Sequence, residues 1–243
     1  MSTAMIFAAG LGTRLRPLTN KTPKPLIEVA GLPMLGHLAA SLKQAGVTRL
    51  VLNSHWLADQ IEDYAHQVLS QEFEVFVSKE PQILGTGGGL QQAKRWLEGD
   101  ILLINADVLT DLDFTRFLHQ HQAHGAEVSL AVNRAPATSN LLIDTEGLVV
   151  GVERSGKPEL SAEPVGEVET YNFCGIHVVN QTFWSRLGLE VNFSIIDEYL
   201  GQLTDGLEVQ GIDIGDAYWS DVGTLETLEQ ARTDWAGLSK NEA

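Results

Sequence analysis

Apolar positions in this chain change their spacing in a regular order, and that order predicts the elements. Met5–Ala9 is an unbroken apolar run, the pattern of a strand covered on both faces. Leu35, Leu38, Ala39, Leu42 and Ala45 then recur at i, i+3, i+4 and i+7, which predicts an amphipathic helix opening near Pro33 and closing near Gly46. Leu50-Val51-Leu52 reads as the next strand and Ala58–Leu69 as the next helix. Phe73–Val77 alternates at strand spacing, Gly87–Leu97 opens a third helix, and Ile101-Leu102-Leu103-Ile104 is again a buried strand. Strands alternating with helices in this order predict an α/β fold with a mostly parallel, twisted sheet and helices on both sides.

Beyond Asn105-Ala106-Asp107 the rhythm loosens. Phe114–His124 reads as a helix and Glu127–Val132 as a strand. Leu141–Val152 suits a hairpin turning at Thr145-Glu146-Gly147, and the polar, aperiodic residues 153–169 suit an active-site loop or lid. Phe173–Val179 resumes strand character, Ser194–Leu203 a helix, Tyr218-Trp219 a short strand, and Thr224–Trp235 a closing helix. Repeats, linkers and low-complexity runs are missing, so one domain over residues 1–243 is expected, with a first part to about 110 and a second over about 111–235.

Charge changes this picture. The 243-residue chain is net −16, yet residues 1–27 carry Arg14, Arg16, Lys21 and Lys24 without a carboxylate. That segment is +4 in a chain whose remainder is −20. A local reversal of sign in a glycine loop reads as a seat for a polyanion, most simply a nucleoside triphosphate. The acidic remainder argues against non-specific nucleic-acid binding and docking on anionic membranes. No run has the length of a membrane span, and Met5–Ala9 is too short for a signal-peptide core, so a cytoplasmic protein is expected. The single cysteine, Cys174, precludes an internal disulfide and reads as a buried structural thiol.

The candidate chemistry starts in the loop after the first strand. Gly10-Leu11-Gly12-Thr13-Arg14-Leu15 begins like a dinucleotide fingerprint, but Leu15 replaces the third glycine, and the Gly-Lys-Ser/Thr ending of a P-loop is missing. Glycines let backbone N–H groups approach phosphate oxygens, and arginines add forked donors. Lys24, between Pro23 and Pro25, is expected on a stiff, extended segment. Asp107 ends an apolar strand, where open α/β sheets place ligands, and Asp221 follows Tyr218-Trp219. By spacing alone either aspartate can equally be a cap or turn residue. Asp111 and Asp113 are expected to cap the helix from Phe114. His119, His121 and His124 do not share one helical face, which disfavours a metal site there.

Taken in order, these pieces have a family look. The Gly-x-Gly-Thr-Arg-x-Arg-Pro loop with Pro23-Lys24-Pro25-Leu26, Gly85-Thr86-Gly87-Gly88, Asn105-Ala106-Asp107, Phe173-Cys174-Gly175-Ile176 and Trp219-Ser220-Asp221-Val222-Gly223-Thr224 resemble the sugar-1-phosphate nucleotidyltransferases, also called nucleotide-sugar pyrophosphorylases. The ordered set covers about residues 3–235. Length and the Thr-Gly-Gly-Gly run look most like the short bacterial N-acetylmuramate 1-phosphate uridylyltransferases; mannose-1-phosphate guanylyltransferases carry close variants.

The resemblance implies a Rossmann-like three-layer sandwich with a mostly parallel mixed sheet, of the GT-A-like nucleotidyltransferase kind. It implies a Mg²⁺-dependent enzyme joining a nucleoside triphosphate to a sugar 1-phosphate, with pyrophosphate leaving. Asp107 and Asp221 become the metal ligands, and Arg14 and Lys24 the catalytic cations. Ala9, Gly10, Gly12, Thr13, Arg14, Gln82, Thr86 and Gly87 become nucleotide-binding. Lys24, Asn105, Glu169, Asn172 and Gly175 face the sugar phosphate. Family members carry Glu-Lys-Pro before the strand at Phe173, whereas this chain has the longer Glu153-Arg154-Ser155-Gly156-Lys157-Pro158, so Lys157 receives no role. UTP with N-acetylmuramate 1-phosphate, in peptidoglycan recycling, is the implied pair. GTP with mannose 1-phosphate or a heptose phosphate is the alternative, and a catalytically silent subunit that senses nucleotide sugars is the alternative of another class. A monomer or small homo-oligomer is expected.

Overall fold

The computed structural model describes residues 3–135, 140–188 and 191–241. Its centre is the first apolar run: β1 (Thr3–Phe7) lies in parallel between two later strands, with Met5 opposite both Val51 and Leu103. After β1 come a small ribbon of β2 (Glu28–Val29) and β3 (Leu32–Pro33), then α1 (Met34–Gln44), β4 (Arg49–Ser54), α2 (Ala58–Gln67) and β5 (Glu74–Lys79). Next are α3 (Gly85–Ala93), β6 (Ile101–Asn105), β7 (Val108–Thr110) and α4 (Phe114–His124). The second half holds β8 (Val128–Asn133), β9 (Leu141–Ile143), β10 (Val149–Arg154), β11 (Lys157–Leu160), β12 (Glu169–Val179), α5 (Gln181–Ser185), α6 (Ile195–Leu203), β13 (Val209–Asp213), β14 (Trp219–Asp221) and α7 (Leu225–Asn241).

The main sheet runs β11-β10-β9-β12-β6-β1-β4-β5, with β8 also on β12 and β13 on β8. It is mixed. β6, β1, β4 and β5 are parallel, as the first-half pattern predicts, whereas β12 runs antiparallel to β6, β8 and β9. Parallel pairing recurs in the second half where β13 lies on β8, and antiparallel strands enter with the hairpins after β8, so the sheet is mixed, as the family resemblance implies.

Alternate residues of β1 feed two cores. Ala4 and Ile6 face Leu35, Leu38 and Leu42 of α1 and Phe114 and Phe117 of α4, while Met5 faces Leu90 of α3 and Tyr199 of α6 through a second cluster. Helices thus cover both faces, giving three layers. A third cluster is peculiar to the site: Leu15, Ile27, Val29, Leu109, Val222 and Leu228 pack the glycine loop, the β7–β14 ribbon and α7 together.

Two expectations change. Residues 153–169 are not one open loop. Ser155 and Gly156, both at positive φ, turn β10 into β11, and Val152 opposite Glu159 makes a hairpin. The polar composition of this stretch reflects exposure of β11 rather than loss of regular structure. The third helix also starts earlier, at Gly85, and changes to a 3-10 turn at Lys94.

Candidate active site

The carboxyl ends of the parallel strands deliver the site. Ala8 and Ala9 follow β1, Asn105 ends β6, and Ala106 donates its N–H to the Phe7 carbonyl (3.1 Å), so the two strand ends remain joined where they leave the sheet. Asp107 comes next. Antiparallel pairing of β7 with β14 sets Asp221 opposite Val108, and the Val222 N–H reaches the Asp107 carbonyl at 3.0 Å. Two aspartates 114 positions apart in the chain are brought side by side by this short ribbon.

Between them sits Lys24. Its Nζ lies 2.6 Å from Asp107 Oδ2 and 3.7 Å from Asp221 Oδ1. The lysine is only 11% exposed at its side chain, so its ammonium has little choice of position. Pro23 is extended, as its neighbours predict, but Lys24 itself opens a 3-10 turn, Lys24–Leu26, closed by the Leu26 N–H on the Pro23 carbonyl at 2.9 Å. The stiff mount is therefore a turn rather than an extended strand.

The glycine loop folds toward the same point. Gly12 has φ +60, and a side chain there would meet Thr19 Cγ2 at 2.8 Å and Lys24 Cβ at 3.2 Å. Thr19 donates its hydroxyl to the Gly12 carbonyl (2.8 Å), and Trp56 donates its indole N–H to the Thr19 carbonyl (2.7 Å). Arg14 is exposed and lies over Gly223, where any Cβ would sit 2.8 Å from a guanidinium nitrogen.

Electrostatics follow from this crowding. Burial and then the neighbouring Asp107 charge raise the Asp221 carboxyl above the ordinary range; Lys24 and Arg14 pull it back. Two carboxylates this close attract a cation. A hard divalent ion suits them, since it takes a few carboxylate oxygens and completes its shell with phosphate and water. Among the described residues no third His, Cys, Asp or Glu joins the pair, so the remaining ligands would have to come from substrate or solvent.

Beside the aspartates lies a cleft of about 260 Å³ lined by Ala9, Gly10, Gly85, Thr86, Asn105 and Asp107, together with Phe7, Asn53, Glu80 and Ile83. A small adjoining hollow is shared by Gly10, Lys24 and Asp107. A larger cavity, about 450 Å³, lies between Asp113 and Asp216 and is lined by none of the residues expected to bind nucleotide, sugar phosphate or metal.

Not every candidate reaches the cleft. Gln82 is exposed and outside its lining. Gly87 is buried under Phe193, whose ring would stand 2.1 Å from an added Cβ, and the Gly87 N–H bonds the Phe193 carbonyl at 3.0 Å. Thr86 lines the cleft, but its Oγ1 accepts the Ile195 N–H at 3.0 Å, holding the start of α6. The glycine run is thus a packing surface as much as a loop. Gly12 and Thr13 also lie outside the lining, in the Lys24 loop.

On the second-half side, Gly175 (φ +71) packs against Asn105, whose Nδ2 would be 2.9 Å from an added Cβ. Asn172 is buried and donates to Asn133 Oδ1 at 3.0 Å. Glu169 is exposed and bound to Arg134 at 2.6 Å, which holds its carboxyl below the usual range. Lys157 is exposed on the β10–β11 hairpin.

The remaining sequence candidates resolve simply. Asp113 caps α4 by accepting the Arg116 N–H (3.0 Å), but Asp111 instead accepts the Tyr218 N–H (2.7 Å), tying β7 to β14. His121 faces inward to Ser129 Oγ at 2.8 Å, and burial lowers its pKa. Cys174 is buried and its thiol is pushed up to about 12, which makes it inert. Asn53 and Glu80 escaped the sequence reading. Their signal was available: each is a polar residue at or just past the carboxyl end of a parallel strand.

The family described as Nucleotidyl transferase matches residues 3–236. The chain belongs to that family. N-acetylmuramate alpha-1-phosphate uridylyltransferase of Neisseria meningitidis serogroup B is 50% identical over 114 residues, 46% of this chain and 49% of that protein. Mannose-1-phosphate guanylyltransferase catalytic subunit beta of Drosophila melanogaster is 30% identical over 90% of this chain and 59% of its own length. The matched part is therefore about half to three fifths of these relatives. HddC from Yersinia pseudotuberculosis, solved in complex with GMP-PN, superposes with a TM-score of 0.79 at 23% identity, covering 97% of this chain and all of that one. A putative glucose-1-phosphate thymidylyltransferase from Bacillus anthracis gives 0.80 at 17% identity, covering 96% and 94%. Both share the fold. No helix among the described residues is long and apolar enough to cross a membrane.

Proposed function

We propose that this protein transfers a nucleotidyl group from a nucleoside triphosphate to a sugar 1-phosphate, releasing pyrophosphate and forming a nucleotide sugar. The observation that carries this reading is the convergence of Lys24 on both Asp107 and Asp221, at 2.6 and 3.7 Å. A cation between two carboxylates beside an open cleft suits a reaction between two phosphates.

The attacking phosphate oxygen is already ionised, so neither a general base nor a covalent intermediate is needed. What the chain must do is hold two anions in line and offset the charge that builds as pyrophosphate departs. Arg14 and the backbone of Gly10–Thr13 serve the β- and γ-phosphates. Lys24 reaches the gap where the two phosphates approach and reduces their repulsion. Asp107 and Asp221 would hold Mg²⁺, which when bound supplies Lewis-acid neutralisation of phosphate charge. The base lies along Gly85 and Thr86, with the residues up to about 110 serving the nucleotide. Residues 111–235 serve the sugar through Asn172, Gly175 and Glu169, the last once freed from Arg134.

UTP with N-acetylmuramate 1-phosphate is the leading pair, supported by the 50% identity over 114 residues, and would place the reaction in cell-wall sugar recycling. GTP with mannose 1-phosphate is the second, supported by the alignment over 90% of this chain. Pyrophosphate release with four nucleotides against both sugar phosphates tests the activity and chooses the pair. Release with no combination would leave the silent, nucleotide-sugar-sensing role.

A further inference from the structure

One buried polar network joins the walls of the cleft. Asn53, in β4, accepts the Ala8 N–H on Oδ1 (2.7 Å) and donates from Nδ2 to Glu80 Oε1 (2.7 Å). Glu80, just past β5, accepts the Leu84 N–H on its other oxygen at 3.0 Å. Both side chains line the cleft, yet Asn53 is 3% and Glu80 2% exposed. The backbone is fixed as well, since the Glu80 N–H bonds the Ser54 carbonyl at 2.8 Å. Room for the network comes from Gly89, where a Cβ would sit 2.7 Å from Asn53 Nδ2 and 2.9 Å from Glu80 Oε1.

A buried carboxyl group that meets no Lys, Arg or His among the described residues is a costly way to hold a fold together. Its two bonds reach different structures. Through Asn53 it grips Ala8, two residues before Gly10; through Leu84 it grips the residue before Gly85. On the proposed function those are the phosphate side and the base side of the cleft.

We infer that Asn53 and Glu80 form a positioning tether that sets the Gly85–Thr86 wall at a fixed distance from the Gly10–Thr13 loop, so that base and triphosphate are gripped together. This rests on the nucleotidyl-transfer reading for its ligand, but the tether itself is a property of the protein. Both carboxyl oxygens of Glu80 are committed to protein donors, so it acts through the walls rather than on the base.

The network's polarity gives the test. In Glu80→Gln the new amide must point a donor at either Asn53 Nδ2 or the Leu84 N–H, so one bond is lost. In Asn53→Asp two carboxyl groups face each other. In the double variant the new amide donates to the new carboxylate, the Leu84 N–H keeps an acceptor, and so does the Ala8 N–H. Glu80→Gln is expected to weaken UTP or GTP binding about tenfold, to speed hydrogen exchange at the Ala8 and Leu84 amides, and to leave the sugar 1-phosphate KM within about twofold. The double variant is expected to return both readouts to within about threefold of wild type, even where a single variant does not fold. Unchanged nucleotide affinity in Glu80→Gln overturns the tether. So does a double variant that fails to fold, or one that regains exchange protection without regaining nucleotide, which would make the Glu80 charge a direct nucleotide contact. A wild-type protein that binds neither nucleotide contradicts the activity reading instead, while the exchange arm still decides the tether.

Discussion

Lys24 is held by two buried prolines and two carboxylates before any substrate arrives. Removing it leaves Asp107 and Asp221 to repel each other and both incoming phosphates. Lys24→Ala is therefore expected to stay folded and lose about 10²–10³-fold in turnover, read by pyrophosphate release. Near-normal turnover would remove Lys24 from the mechanism. Gly87 makes a contrasting case, because its constraint is packing. Gly87→Ala drives a methyl into the Phe193 ring and should cost roughly 1–3 kcal/mol in a urea denaturation. Lys24 between two prolines and Asp107 at the end of an apolar strand were conspicuous in the sequence, whereas Asp221 stood out only through the family motif. The sequence hid the burial of Gly87, since a glycine run reads equally as a loop or as a surface that needs room for an aromatic ring 106 positions later.

At the scale of elements, β12 carries a second buried titratable group. His177 faces inward, its Nδ1 2.7 Å from the Tyr199 hydroxyl of α6, and burial lowers its pKa to about 3. A folded-state pKa below the unfolded one means that the unfolded chain binds the proton first. The stability contributed by neutral His177 is complete above about pH 6.5 and is lost as pH falls toward 3. The stability advantage of wild type over His177→Phe should thus shrink by about 2 kcal/mol between pH 7 and pH 5, measured by urea denaturation. A constant difference would mean that His177 is protonated in the folded protein. The inner strands β1, β4 and β6 were legible as unbroken apolar runs because they are covered on both faces, and the first helix was legible because one of its faces is buried. The β10–β11 hairpin was not, because an exposed strand such as Lys157–Leu160 has no apolar alternation to betray it.

In the whole molecule, a +4 segment lies against a body of −20, yet the cradle it forms closes on two acids. A triphosphate entering there meets Asp107 and Asp221 as well as Arg14 and Lys24. Turnover is accordingly expected to vanish on chelation of divalent ions and to return with added Mg²⁺; persistence in chelator would remove the ion from the account. The joining of the aspartates depended on the β7–β14 ribbon; Tyr218-Trp219 was read as a short strand, but the three residues of β7 and the pairing of the two strands could not be read from periodicity. Family motifs bridged that gap where local pattern did not.

If both aspartates serve one ion, their losses are not independent. The decisive measurement is kcat/KM for Asp107→Asn, Asp221→Asn and the double variant, taken as a cycle. Sharing predicts a double variant no more impaired than the worse single one, to within about threefold. Losses that multiply would mean two separate roles, and would contradict the convergence of Lys24, Asp107 and Asp221 on a single triphosphate.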